Sequence, residues 1–262
     1  MSSSSHRLSP CRLRRTLVPL VLALLQILSA CTYGSDAGPR AAAPEDLKII
    51  HLAPLPGAHH VPINPMIDVV FSAPLGTEAV DIGALRLFSG GVETQGHLHV
   101  DLLERRLRLI PDVSLVPMLR YRVYVRAHLR GLDGSRSLAE PTIFDFTTGS
   151  ESQAPPAPRP SVNDAEVQPL WRERCVTCHN EARPTAGIDL ASIARVRASL
   201  FNQPSPIASV SLIRPGDHAR SYLLRKLLDA GGITGAPMPP AGPRLDTPTL
   251  RLVADWIDGM TP

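Results

Sequence analysis

The sequence predicts a multidomain protein: an all-β sandwich followed by a small all-α domain, joined by a Pro-rich linker. Three observations predict it. Between residues 45 and 149, seven short apolar or alternating runs recur between turn signals, which is the spacing of a sandwich. Residues 150–161 read Ser-Glu-Ser-Gln-Ala-Pro-Pro-Ala-Pro-Arg-Pro-Ser and have no hydrophobic period. Beyond them the apolar residues recur with the period of helices. The hydrophobic content of 44% excludes a disordered polyampholyte.

Charge sets the N-terminal segment apart. Residues 1–30 hold Arg7, Arg12, Arg14 and Arg15 and no acid, so the net charge of +3 belongs to them. The rest has 23 basic against 24 acidic residues, no Lys/Arg block and no basic-aromatic ladder. Nucleic-acid binding therefore has no electrostatic footing. The arginines precede Leu17–Ala30, an apolar stretch too short for a span of roughly 20 residues but suited to a signal-peptide core. It ends in Leu28-Ser29-Ala30-Cys31, which resembles the lipobox of bacterial lipoproteins. The resemblance implies a signal peptide at 1–30, cleavage before Cys31 and lipidation of Cys31. Two or three acyl chains anchor stably where one does not. Thr32 after the Cys, in place of Asp, favours the outer membrane or cell surface over the inner membrane. Residues 31–44 lack periodicity and read as a flexible tether.

The sandwich runs are Leu47–Leu52, Met66–Ser72, Ala84–Phe88, His97–Leu103, Arg106–Ile110, Arg120–Leu129 and Thr142–Thr148. The clearest is 120–130. Tyr121, Val123, Val125, Ala127 and Leu129 share one face, and Arg120, Arg122, Tyr124, Arg126, His128 and Arg130 the other. Period two with one wet face is the half-buried antiparallel pattern. The segment 45–149 resembles the bacterial Ig-like domains of S-layer and surface proteins. The likeness rests on Val61-Pro62-Ile63-Asn64-Pro65, Ile67-Asp68-Val69-Val70-Phe71-Ser72, Gly131-Leu132-Asp133-Gly134 and Phe144-Asp145-Phe146-Thr147-Thr148-Gly149. It implies a spacer or adhesive module. His97, His99 and Asp101 share a strand face, but zinc lacks an evident fourth ligand there, so they read as a polar solvated face. His59-His60, in a Pro-rich loop, reads the same way. As an extended polyproline segment, the linker could hold two domains roughly 30 Å apart.

Residues 162–262 carry the chemistry. Cys175-Val176-Thr177-Cys178-His179 is a C-x-x-C-H pattern, the attachment signal for c-type haem. Each thiol can form a thioether to one haem vinyl group, and the adjacent His meets the iron. A thioredoxin-like dithiol is a rival, but it needs a strand before the motif, and Asn163–Arg174 has helical period. Zinc is a second rival, yet after His179 only His218 and no Cys remain. A sixth ligand is expected. Met238, inside a Gly/Pro-rich loop and followed by Pro239, is the candidate; His218 is the rival, and an open site remains possible. Leu223, Leu224, Leu227 and Leu228 make one helical stripe; Leu250, Val253, Ala254 and Ile257 make another, started by Asp246 or Thr247 with Pro248 and stopped by Gly259.

This segment resembles class I-like cytochrome c domains of large multidomain bacterial proteins. The matching pieces are Leu170-Trp171 with Cys175, Cys178 and His179, Gly187-Ile188-Asp189-Leu190, Pro215-Gly216-Asp217, Met238-Pro239-Pro240 and Trp256-Ile257-Asp258-Gly259. The resemblance implies one covalent haem c, with His179 as proximal and Met238 as distal iron ligand. The long segment between His179 and Met238, with Pro204 and Pro206, departs from the pattern.

The expected function is an extracytoplasmic electron carrier, not an enzyme, held at the membrane by its lipid and exchanging electrons with a redox protein. Two alternatives stand beside it. One is a haem subunit of a larger oxidoreductase or a peroxide-binding enzyme. The other is a surface structural or adhesive lipoprotein acting through the Ig-like domain. Arg214, Arg220, Arg225 and Lys226 cluster in sequence and could steer an acidic partner, against the plainer reading of a solvated helix face.

Overall fold

Residues 46–157, 159–207 and 210–261 are described in the computed structural model of the chain. The leader at 1–30, the tether at 31–44 and Cys31 lie outside the described residues.

Alternating side chains sort the first segment into two sheets. β1 (Ile49–Ala53), β2 (Ile67–Phe71), β6 (Arg106–Pro111) and β5 (Gly96–Asp101) pair in that order. β4 (Val92–Thr94), β3 (Leu85–Ser89), β7 (Arg120–Val125) and β8 (Thr142–Thr147) form the second sheet. All these neighbours are antiparallel. A short helix, α1 (Glu78–Asp81), connects β2 to β3. Ile67, Val69, Phe71 and Leu107 of one sheet and Leu87, Val123, Val125 and Phe146 of the other are buried in the core between them. Tyr121 stacks on Phe146 with ring centroids 5.8 Å apart.

Two details differ from the sequence reading. An eighth strand, β4, forms because Gly90 and Gly91 both take positive φ, 55° and 83°. Adjacent left-handed residues make the tight hairpin that folds Val92 back onto Ser89. β7 ends at Val125 instead of running on to Leu129. His128 adopts a φ of 60°, which turns the chain, although Leu129 still reaches the core.

The C-terminal unit is mainly helical. α2 (Asp164–Arg174) starts at a capping box in which Asn163 accepts from the backbone of Glu166 and Glu166 accepts from Asn163. α3 (Ile193–Leu200), α4 (Tyr222–Leu228) and α5 (Thr247–Asp258) follow. α5 begins at an Asp246 cap with Pro248 in its first turn and ends at Gly259. Trp171 of α2 meets Trp256 of α5 edge-on at 5.7 Å, and Phe201 meets Trp256 at 5.8 Å. Trp256 Nε1 donates to Asp164 (2.9 Å), so the large indole is buried with its polar atom satisfied. A two-residue ribbon, β9 (His179–Asn180) with β10 (Arg183–Pro184), departs from a purely helical unit. No described helix is long and apolar enough to cross a membrane.

The described residues of 150–161 have no regular secondary structure, yet they do not hold the two units 30 Å apart. Gln153 exchanges hydrogen bonds with Asn64, and Arg159 donates to Asp101 at 2.8 Å. Residues 42–262 form one compact unit. The C-terminal unit meets the sandwich at the end of β5 and around α1. Arg251 reaches Asp101 (3.1 Å), Arg220 reaches Asp81 (2.8 Å) and Arg225 reaches Thr77 (3.2 Å).

Candidate functional site

The C-x-x-C-H motif lies where α2 unwinds. Cys175 is the residue after the last helical one, and its N–H still donates to the Trp171 carbonyl at 3.0 Å. Cys178 N–H and His179 N–H both donate to the Cys175 carbonyl, at 3.2 and 3.0 Å. These bonds close residues 175–179 into one tight turn. Both thiols are free; Cys175 is half-buried and Cys178 exposed. The turn is braced from outside: Thr185 Oγ1 donates to the Cys178 carbonyl (2.8 Å), and Asn180 Nδ2 to the Val176 carbonyl (2.7 Å).

His179 is buried, and its Nδ1 lies 3.1 Å from the Thr185 carbonyl. A carbonyl only accepts, so Nδ1 is the donor, and in the neutral ring Nε2 keeps its lone pair. That outer hydrogen bond fixes tautomer and ring orientation, the arrangement that makes an imidazole a metal ligand. Trp171 Nε1, buried four residues before Cys175, is an N–H without a hydrogen-bond partner. These features fit a c-type haem: two thiols and an oriented imidazole on one turn, beside a donor in need of an acceptor.

The rival chemistries fit less well. Burial pushes the Cys175 thiol up to about 11, whereas a redox-active dithiol needs a lowered pKa. The motif also follows a helix C-terminus, whose partial negative charge disfavours a thiolate. Among the described residues, no three His, Cys, Asp or Glu side chains converge as a metal-ion site. A covalent haem would have no such need: Cys175 and Cys178 would hold it as thioethers and His179 would supply its imidazole to the iron.

Met238 sits in the loop between α4 and α5, partly buried against the core. Its N–H donates to the Lys226 carbonyl at 2.8 Å. Arg174, next to Cys175, donates to the Pro243 carbonyl of the same loop at 2.7 Å, tying the motif helix to it. His218 is engaged elsewhere. Its Nδ1 bonds Asp258 at 2.7 Å and its Nε2 lies 3.9 Å from Asp101 of the sandwich. It lines a cleft of about 530 Å³ between the sandwich and the C-terminal unit, with His99, Asp101, Arg108 and Arg220.

That cleft alters the reading of the His97, His99 and Asp101 face. The three do share one face, but the face is a docking surface as well as a wet one. His97 contacts Asp112, while His99 is drawn down from its ordinary pKa by burial and then by His97 and Arg108. Asp101 is 8% exposed and receives Arg159 and Arg251. Burial alone would raise its pKa. Hydrogen bonds from Arg251, the Glu104 backbone and Arg159 outweigh that and hold it well below the carboxylate range. His59 and His60 are exposed, as read. The basic cluster is not an open patch: Arg225 is buried against Thr77, Arg220 pairs with Asp81 and Asp217, and Lys226 binds loop carbonyls. Nothing in the sequence near these residues announced their partners, which lie up to 150 positions away.

Known proteins match the sandwich. Residues 43–148 match the family described as "Bacterial Ig-like domain". No curated protein sequence matches the chain. Among solved structures, the L,D-transpeptidase 1 of Mycobacterium tuberculosis is 22% identical with a TM-score of 0.27, and the match covers 38% of each chain. The N-terminal part of the bacterial S-layer protein SbsC is 16% identical with a TM-score of 0.30, over 40% of this chain and 24% of that one. The alpha-2-macroglobulin of Escherichia coli is 16% identical with a TM-score of 0.32, over 41% of this chain and 6% of its own. The chain thus spans well under two thirds of each, and no activity follows from the likeness. With two antiparallel sheets observed and the family matched across them, residues 43–148 are a bacterial Ig-like domain.

Proposed function

We propose that the chain is an extracytoplasmic electron carrier in which the Ig-like domain supports a C-terminal unit with one covalent haem c. The observation that carries the reading is the Cys175-Cys178-His179 turn, with His179 Nδ1 committed to Thr185 and Nε2 left free. Cys175 and Cys178 would hold the haem as thioethers, His179 would be the proximal ligand and Met238 the distal one. When bound, the haem supplies one-electron exchange between Fe(III) and Fe(II); Met ligation raises the potential relative to two His ligands. The Thr185 carbonyl orients the imidazole, and the Trp171–Trp256 core keeps α2 in place. In the same reading Cys31 takes the lipid, and the protein faces the periplasm or cell surface from the outer membrane.

The test is production with c-type haem maturation in a Gram-negative periplasm. Haem that stays with the polypeptide through acid–acetone, and is lost in Cys175→Ser with Cys178→Ser, is the expected result. Extractable or absent haem in the wild type would sink the reading.

A second reading makes the Ig-like domain the working part, as a structural or adhesive module of the surface. It draws on the family match, which covers the sandwich and not the C-terminal unit. Envelope association that persists unchanged in the Cys175→Ser, Cys178→Ser double variant, in a chain that binds no haem, would favour it.

A further inference from the structure

We propose that Lys226 is the positioning residue for Met238, holding its loop so that the thioether is presented as the distal iron ligand. The inference rests on the haem reading above.

The loop between α4 and α5 contains no strand or helix of its own. Gly231, Gly232, Gly235 and Gly242 all take positive φ, so its path depends on glycine. A thioether is a weak ligand, and a weak ligand on a permissive loop binds well only if something else fixes the loop. Lys226 does so from both ends of the segment that precedes the methionine. Its ammonium donates to the carbonyls of Thr234 (2.8 Å) and Ala236. Its own carbonyl accepts the Met238 N–H at 2.8 Å. One turn earlier on α4, the Tyr222 hydroxyl accepts the Thr234 N–H at 2.7 Å. Residues 234–238 are thereby pinned to one helix at four points, three of them on Lys226. Lysine suits the task because its ammonium has three rotatable donors and can serve two carbonyls at once. An apolar side chain of similar length would leave both carbonyls to water, with only the Lys226 carbonyl and the Tyr222 hydroxyl still holding the loop.

Exogenous imidazole competes with the methionine for oxidised iron, so its affinity reports how often the thioether is away. The full chain is matured with haem as wild type, Lys226→Met, Lys226→Arg and Met238→Ala. Covalent haem content is measured first, then the oxidised sulfur–iron band and the imidazole Kd. Lys226→Met should bind imidazole about tenfold more tightly with a weakened band. Lys226→Arg should restore both toward wild type, and Met238→Ala should lose the band and set the upper limit of affinity. Unchanged imidazole affinity and band in Lys226→Met, with haem intact, overturns the inference while leaving the haem reading standing. Unchanged behaviour in Met238→Ala overturns it as well, since the ligand is then another residue. Wild type without covalent haem removes the reading beneath it. If Lys226→Met does not fold, Tyr222→Phe is the substitute, and imidazole affinity equal to wild type there counts against the proposal.

Discussion

Cys175 and Cys178 stand three positions apart, yet their surroundings differ. Cys175 packs half-buried where α2 ends and its thiol is pushed up to about 11, while Cys178 is exposed. Thiolate is the species that alkylates. In haem-free protein near pH 8, iodoacetamide should therefore label Cys178 first, with Cys175 following slowly or only on unfolding. Peptide mass spectrometry checks the order; equal rates would contradict the burial of Cys175. The motif itself was legible because it is local: five consecutive residues carry the spacing. The Thr185 carbonyl that orients His179 was not, because a backbone acceptor leaves no residue-type signal.

At the scale of elements, α2 and α5 stand or fall together. Asn163 and Glu166 close a capping box on α2, so Asn163→Ala should cost about 1 kcal/mol. Trp171 is wholly buried against Trp256, and Trp171→Ala should cost about 3–5 kcal/mol by leaving a cavity. Urea unfolding followed by far-UV circular dichroism measures both, and a Trp171→Ala cost no larger than that of Asn163→Ala would argue against the packing. The start of α5 was readable from Asp246 and Pro248, since capping is short-range chemistry, whereas the Asn163 cap of α2 emerged only in the structure. The strand β4 was missed because three residues, Val92–Thr94, are too few to show a period.

At the scale of the molecule, Asp101 joins three parts of the chain: sandwich, linker and last helix. It bonds Arg159 and Arg251, and Glu104 and Asp255 extend the network through the same arginines. Asp101→Asn keeps the shape and removes the charge. Because Arg159 is 41% exposed, the loss should be modest, about 1–3 kcal/mol at pH 7. The folded-state pKa of Asp101 lies below its unfolded value, so its contribution is fully present above about pH 4. It is lost as pH falls from there toward the lower folded value. The stability gap between wild type and Asp101→Asn should therefore be flat from pH 6 to 8 and shrink below about pH 4 in urea titrations. A gap that grows in acid would refute the assignment. The same variant should also be cut faster within residues 150–161 by a broad-specificity protease, since Arg159 would lose the shortest of its three ion pairs.

The sequence by itself determined seven of the eight sandwich strands, the start of α5 and the C-x-x-C-H motif, because each is written in residues within a few positions of one another. Tertiary structure alone decided that the two units touch, that His218 faces the sandwich and that Lys226 holds the methionine loop. The physical reason is range. Period and capping act over one or two turns of chain, whereas Arg251 and Asp101 meet across 150 residues, and either charge alone reads as one more solvated side chain.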